Sequence, residues 1–127
     1  MADQIFKVLI FLKRRSGMSH DEFRDYYENA HSKLCEKYAV GARRYVRRYV
    51  QPVANLETGE AGELDFDVIT ELWFDDRAIC EKVLEIGSSM AFPAEVLADE
   101  ERLFDRSKTR YAAVIESESN IAAFGAR

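Results

Sequence analysis

Two cysteines, two histidines, two prolines and one tryptophan among 127 residues deny this chain the raw material of several protein classes. Cys35 and Cys80 form no spaced framework, which excludes a disulfide scaffold and fits a reducing compartment. His20 and His31 are too few for an all-protein zinc or iron site, and no paired ligand spacing surrounds them. No metal and no cofactor is therefore expected. An excess of positive charge is missing too. Lys and Arg number 18 against 23 Asp and Glu, a net of −5, and the two signs are interleaved, so nothing draws the whole molecule to nucleic acid or to an anionic membrane. No apolar run approaches the length of a membrane span. The first residues lack the basic region and apolar stretch of a signal peptide, and a cytoplasmic location is expected. Repeats, Gly-rich phosphate loops, nucleophile elbows and Cys-x-x-Cys pairs are absent as well.

What is present is enough apolar material, 47% of residues beside 32% charged, to bury a core without staples. The length predicts one domain over 1–127, with a weakly ordered tail from about 118 to 127. Residues 4–13 are rich in β-branched and aromatic types and read as a strand. Ser19, followed three residues on by Glu22, forms a capping box that starts a helix. That helix is expected to run to about Val40 and stop at Gly41. Residues 43–51 alternate and read as a second strand; 53–64 read as a loop; 65–74 read as a third strand. Asp75 or Asp76 caps a second helix that reaches about Ile86, and Gly87-Ser-Ser breaks it. Pro93 opens a third helix to about Phe104. Residues 109–116 read as the last strand.

This β-α-β-β-α-α-β order predicts an α+β fold, a four-stranded antiparallel sheet on the ferredoxin-like plan with helices on one face. The second strand, with Arg43, Arg44, Arg47 and Arg48, falls at an edge, where charge discourages unwanted pairing. The third strand is apolar on both faces: Phe66, Val68, Leu72 and Phe74 against Ile69 and Trp73. The bare face needs a cover, and a second copy of the sheet is the simplest one, so a homodimer is expected.

The first helix carries the most chemical information. At 100° per residue, Phe23, Tyr27, Ala30, Leu34 and Tyr38 form one stripe. His31 falls inside it, one turn from Tyr27. A histidine there is either a core residue satisfied by one hydrogen bond or an acid–base group titrating near neutrality. His20 lies outside the stripe and reads as solvated. On the third helix Glu100 falls among Val96, Leu97, Leu103 and Phe104, with Asp99 on the shoulder. A carboxylate in an apolar stripe is costly unless paired, and His31 or a strand-two arginine would supply the partner. Glu71 reads as a cross-strand ion pair with such an arginine or Lys7. Aromatic candidates for a pocket wall are Phe23, Tyr26, Tyr45, Tyr49, Trp73 and Phe104.

The segment Phe11-Leu-Lys-Arg-Arg-Ser-Gly-Met-Ser-His-Asp-Glu-Phe-Arg-Asp-Tyr-Tyr-Glu-Asn-Ala-His31 resembles the opening of the EthD family: a strand ending in Lys-Arg, a Gly-Met-Ser turn, and a helix reading Glu-Phe-x-x-Tyr-Tyr-x-x-x-His. Glu71-Leu-Trp-Phe-Asp-Asp and the stretch from Ala98 to Arg110 are similar to its later blocks. The resemblance implies a dimeric α+β barrel. It also implies work in xenobiotic degradation or polyketide tailoring, as a cofactor-free dehydratase, decarboxylase or cyclase acting on a hydrophobic small molecule. The alternative it leaves open is a non-catalytic accessory protein of an oxidoreductase system. The family histidine falls on His31, the tyrosine pair on Tyr26 and Tyr27, and the helix-three acid on Asp99, whereas the helical wheel selects Glu100.

Overall fold

In the computed structural model, which describes residues 4–89 and 92–122, a strand β1 (Phe6–Leu12) leads through a turn into helix α1 (His20–Tyr26). The helix continues through a π-helical turn (Tyr27–His31) into α2 (Ser32–Glu36). Strands β2 (Ala42–Tyr49) and β3 (Val68–Phe74) follow, then helices α3 (Arg77–Ser89) and α4 (Ala94–Leu103), a 3₁₀ turn (Arg106–Lys108) and β4 (Arg110–Ala113). The sheet order is β2-β3-β1-β4, with every neighbouring pair antiparallel. This is the ferredoxin-like arrangement, with β2 and β4 at the edges.

The start of α1 is set by the expected capping box: Ser19 Oγ accepts from the Glu22 amide at 3.1 Å, and Glu22 Oε1 accepts from the Ser19 amide at 3.2 Å. Its far end comes earlier than the spacing predicts. The helix closes after Glu36 with tightened bonds from Lys37 and Tyr38 to the carbonyls of Leu34 and Cys35, and Gly41 turns the chain at φ +85° into β2. Asp76 caps α3 through Oδ1, which accepts from the Ala78 amide at 2.8 Å. Contrary to expectation, α3 does not break at Gly87. A lone glycine inside a helix costs only about 1 kcal/mol relative to alanine, and here it leaves room for the Tyr111 ring, whose Cε1 would lie 2.6 Å from a β-carbon at this position.

Strand alternation gives the sheet two distinct faces. Toward the helices point Val8, Ile10 and Leu12 of β1, opposite Leu72, Thr70 and Val68 of β3. The core there falls into two clusters, one around Leu12, Phe23, Tyr27, Val68, Leu103 and Phe104, the other around Val8, Phe74 and Cys80, and Ile10 packs against both. After β1 the chain is bonded to the end of α4: the Arg15 amide donates to the Leu103 carbonyl at 2.8 Å, and the Asp105 amide to the Lys13 carbonyl at 2.8 Å. These two bonds hold α4 over the sheet at a fixed height. Among the described residues, no helix is long and apolar enough to cross a membrane. The tail expected from about 118 onward lies partly outside the described residues; from 114 to 120 the backbone forms no regular element.

Candidate active site

The π turn decides which side chains of the first helix reach the interior. The Ser32 amide donates to the Tyr27 carbonyl, an i→i+5 bond, which inserts one residue into the turn and cancels the drift an α-helix shows at four-residue spacing. Phe23, Tyr27 and His31 therefore stand in line, all of them buried. The ideal-helix stripe overreaches at its end, because Tyr38 is 44% exposed.

Across from this line, α4 presents Asp99. Its Oδ2 lies 2.8 Å from His31 Nδ1, and its Oδ1 accepts from the Tyr26 hydroxyl at 2.5 Å. Arg102, one turn on, is 3.6 Å from the same Oδ1. A carboxylate on Nδ1 fixes the imidazole as the Nδ1–H tautomer and leaves the Nε2 lone pair as base. Cys35 Sγ sits 3.3 Å from that Nε2. The ring is wedged edge-on between Tyr27 and Phe104, with both centroids 5.2 Å away. Burial lowers the proton affinity of His31 below the usual 6.5, and Asp99 offsets part of that effect.

His31 forms part of the wall of a cavity of about 310 Å³ between the first helix, the sheet and α4. The cavity occupies the gap between the two core clusters, which is why Ile10 and Leu72 form its floor. Its polar wall contains a hydroxyl chain. Tyr45 Oη donates to Tyr27 Oη at 3.1 Å, and Tyr27 Oη lies 2.6 Å from Thr70 Oγ1. Burial raises both tyrosines above their ordinary range and pushes the Cys35 thiol up to about 12. Glu100 also lines this space, its carboxyl pushed up to about 7 by burial against the pull of Arg106.

The structure thus brings His31, Tyr27, Tyr45, Phe104 and Glu100 to one cavity, with Asp99 and Tyr26 behind His31. Four of the expected wall residues lie away from this cavity. Tyr26 supports Asp99 and does not line the cavity. Phe23 is buried 5.8 Å from Phe104 and borders a separate, smaller hollow with Tyr49 and Asp67. Tyr49 donates to Glu28 Oε2 at 2.5 Å and packs against Phe23. Trp73 lies on the opposite face of the sheet, because alternation from Leu72 and Phe74 turns it away; Lys7 Nζ is 3.9 Å and the Arg44 guanidinium 4.4 Å from its ring. Glu71 forms the expected cross-strand pair with Arg48. Burial works to raise the Glu71 carboxyl, but bonds from Arg48 and the Trp73 indole leave it lowered overall. Sequence reasoning missed Cys35, Thr70 and Tyr111 as wall residues. Cys35 continues the four-residue spacing of Phe23, Tyr27 and His31, and Thr70 is a hydroxyl on an otherwise apolar strand face; both signals were available.

One trio of potential metal ligands converges among the described residues: His20, Glu63 and Asp67. Cations of the chain already neutralise it. Arg14 pairs with Glu63, its Nη2 lies 3.4 Å from His20 Nε2, and Lys13 Nζ lies 3.5 Å from Asp67 Oδ2.

Comparison with known proteins follows the same outline. The EthD domain family matches residues 15–107. No curated protein matches in sequence. Among solved structures, the chain is similar to an ethyl tert-butyl ether D (EthD) family protein from Bacillus halodurans C-125, at 16% identity and TM-score 0.55, covering 90% of this chain and 100% of that one. An EthD-like protein from Ralstonia eutropha JMP134 aligns at 15% identity and TM-score 0.56, over 94% of this chain and 99% of that one. A protein from Arabidopsis thaliana aligns at 15% identity and TM-score 0.55, over 91% and 98%.

Proposed function

Given that the chain belongs to the EthD domain family, we propose that it is a cofactor-independent enzyme in which His31 moves a proton on a hydrophobic carbonyl compound. One observation carries this reading: an imidazole only 2% exposed, held through Nδ1 by Asp99 at 2.8 Å, on the wall of a largely apolar cavity. A buried carboxylate behind an imidazole is the arrangement that orients a general base and stabilises the imidazolium once it forms. Removal of a proton next to a carbonyl places negative charge on the carbonyl oxygen, and hydroxyls in a dry site stabilise that charge. The Tyr45–Tyr27–Thr70 chain is the candidate donor. Elimination of water, aldol-type ring closure and loss of carbon dioxide all draw on this equipment. The cavity is suited to aromatic or polyketide-like molecules, since Tyr27, Tyr45, Phe92, Phe104 and Tyr111 all border it.

The test is exchange of α-protons of aromatic ketones with heavy water, followed by proton resonance as a function of pH. The neutral imidazole is the active form. Exchange should therefore fall as pH drops through a value below 6.5, and His31→Gln should abolish that limb. A His31→Gln protein that stays folded and exchanges at the wild-type rate would make the cavity a binding site only.

The second copy is proposed for the other face of the sheet. Leu9, Phe11, Val46, Ile69 and Trp73 lie there half-buried, around a Glu71 that is only 8% exposed. Apolar side chains on one contiguous sheet face are the usual mark of an isologous interface. Light scattering should return about twice the 14.6 kDa chain mass.

A further inference from the structure

Asp99 and Glu100 are successive residues of α4, so their side chains leave the helix about 100° apart. Asp99 reaches His31, Tyr26 and Arg102. Glu100 meets no such company. Its side chain is 15% exposed and lies on the cavity wall. Among the described residues, no side chain gives its carboxyl a hydrogen bond, and the closest cationic atom is Arg106 Nε at 3.9 Å. Arg106 itself sends Nη1 to Glu101 at 3.0 Å. The other elements that border the same cavity offer little compensation. From the first helix come His31 and Cys35, from β4 comes Tyr111, and from α3 come the apolar Val83 and Ile86. Among the described residues that line the cavity there is no Lys or Arg.

We propose that Glu100 is held as a neutral carboxylic acid and donates a proton to a substrate oxygen while His31 removes one from carbon, so that the cavity dehydrates uncharged β-hydroxy carbonyl compounds and does not decarboxylate acids. The proposal rests on the reading of this cavity as a reaction chamber. The absence of a cation among the described wall residues argues against a carboxylate substrate, because such a group would enter an apolar space bordered by Glu100 with nothing to replace its hydration. The upward displacement of the Glu100 carboxyl by burial agrees with the geometry. In the step, His31 Nε2 exchanges its contact with the Cys35 thiol for the substrate and takes the proton α to the carbonyl. The electron pair of that C–H bond becomes the new C=C bond as the bond to the β-hydroxyl breaks, and the departing oxygen takes the Glu100 proton and leaves as water. The imidazolium then gives up its proton to solvent and the Glu100 carboxylate regains one. The net change is loss of one water, with no oxidation or reduction.

The probe is 4-hydroxy-4-phenylbutan-2-one, an uncharged aromatic β-hydroxy ketone, with elimination followed by the absorbance of the conjugated product. The rate should be bell-shaped in pH, with an acid limb below 6.5 from His31 and an alkaline limb near 7 from Glu100. Glu100→Gln should lower elimination by on the order of 10²-fold and erase the alkaline limb alone. Infrared titration of the resting protein should show a protonated-carboxyl band that fades as pH rises through about 7, and Glu100→Gln should lack it. Absence of that band from wild type, its persistence in Glu100→Gln, elimination by Glu100→Gln at the wild-type rate, or no elimination by wild type overturns the proposal. An acid limb that survives in His31→Gln, while the band and alkaline limb behave as stated, would instead remove His31 as the base and leave Glu100 in its role.

Discussion

On the open face of the sheet, Glu71 is bracketed by the Arg48 guanidinium and the Trp73 indole, and Trp73 itself lies between Lys7 and Arg44. Across the helix-side cavity, the closest cationic atom to Glu100 among the described residues is Arg106 Nε at 3.9 Å. The same residue type is thus held below its ordinary range on one side and pushed up to about 7 on the other. The difference lies in the neighbours and not in burial alone. Where β2 and β3 lie side by side, the register brings Arg48 within reach of Glu71, and the charge becomes part of the structure. Where helices cover the sheet, the cavity wall is mostly apolar and aromatic, and Glu100 there is pushed up by burial.

The strongest way to break this contrast is at His31, another titratable group of the cavity wall. His31→Gln should lose on the order of 10²–10⁴-fold in the proton-transfer step while remaining folded, measured as single-turnover elimination or α-proton exchange. A loss of stability with no loss of turnover would place His31 with the structural groups.

Next in size is the cost of Glu100. Its folded value of about 7 lies above the usual 4.5, so the native state binds this proton more tightly than the unfolded chain. The associated stability is complete below about 4.5 and is lost as pH rises through about 7. At 1.36 kcal/mol per unit that gap is on the order of 3 kcal/mol. Denaturant melts of wild type and Glu100→Gln should diverge across this window and run parallel above it, with the variant the more stable at high pH. Parallel curves throughout would show that solvent reaches Glu100 as freely as any surface acid.

On the open side, Trp73→Ala should weaken the proposed dimer by about 2 kcal/mol, roughly 30-fold in dissociation constant, as expected for a central tryptophan anchor. Sedimentation at graded concentrations would read it. Ligand affinity at the cavity should not change, since Trp73 is on the far face. The smallest effect is expected at Tyr26, half-buried behind Asp99. Tyr26→Phe removes one charge-assisted bond and should cost about 1.5 kcal/mol in a denaturant melt, together with a shift of the His31 limb that a purely structural tyrosine would not produce.

Much of this was legible in the chain itself. The strands announce themselves by β-branched alternation, and the capping box at Ser19 and the proline at 93 place two helix starts. The order of elements then leaves little choice of sheet. His31 was legible because it stands one turn from Tyr27 in an apolar stripe. The conflict between the wheel and the family pattern over Asp99 and Glu100 has a physical basis: both side chains are buried, one directed at the histidine and the other at the cavity. Trp73 was misplaced because an apolar strand with two good faces does not say which one the helices will cover. The early end of the first helix and its π turn were hidden because backbone bonding, not side-chain pattern, creates them. Tyr38 satisfies an ideal wheel yet ends outside.

That π turn makes length, as well as residue type, a determinant of this site. A turn holding one residue more than its neighbours works like a spacer set into a gear train: it leaves the teeth unchanged and sets which of them mesh. Excision of the exposed Asn29 would restore an uninterrupted α-helix with every buried side chain still present. The imidazole would then lie about 60° off Tyr27's line, and Asp99 would be left to Tyr26 and Arg102 alone. A deletion that removes no contact group would thus disarm the site as thoroughly as a substitution at its centre.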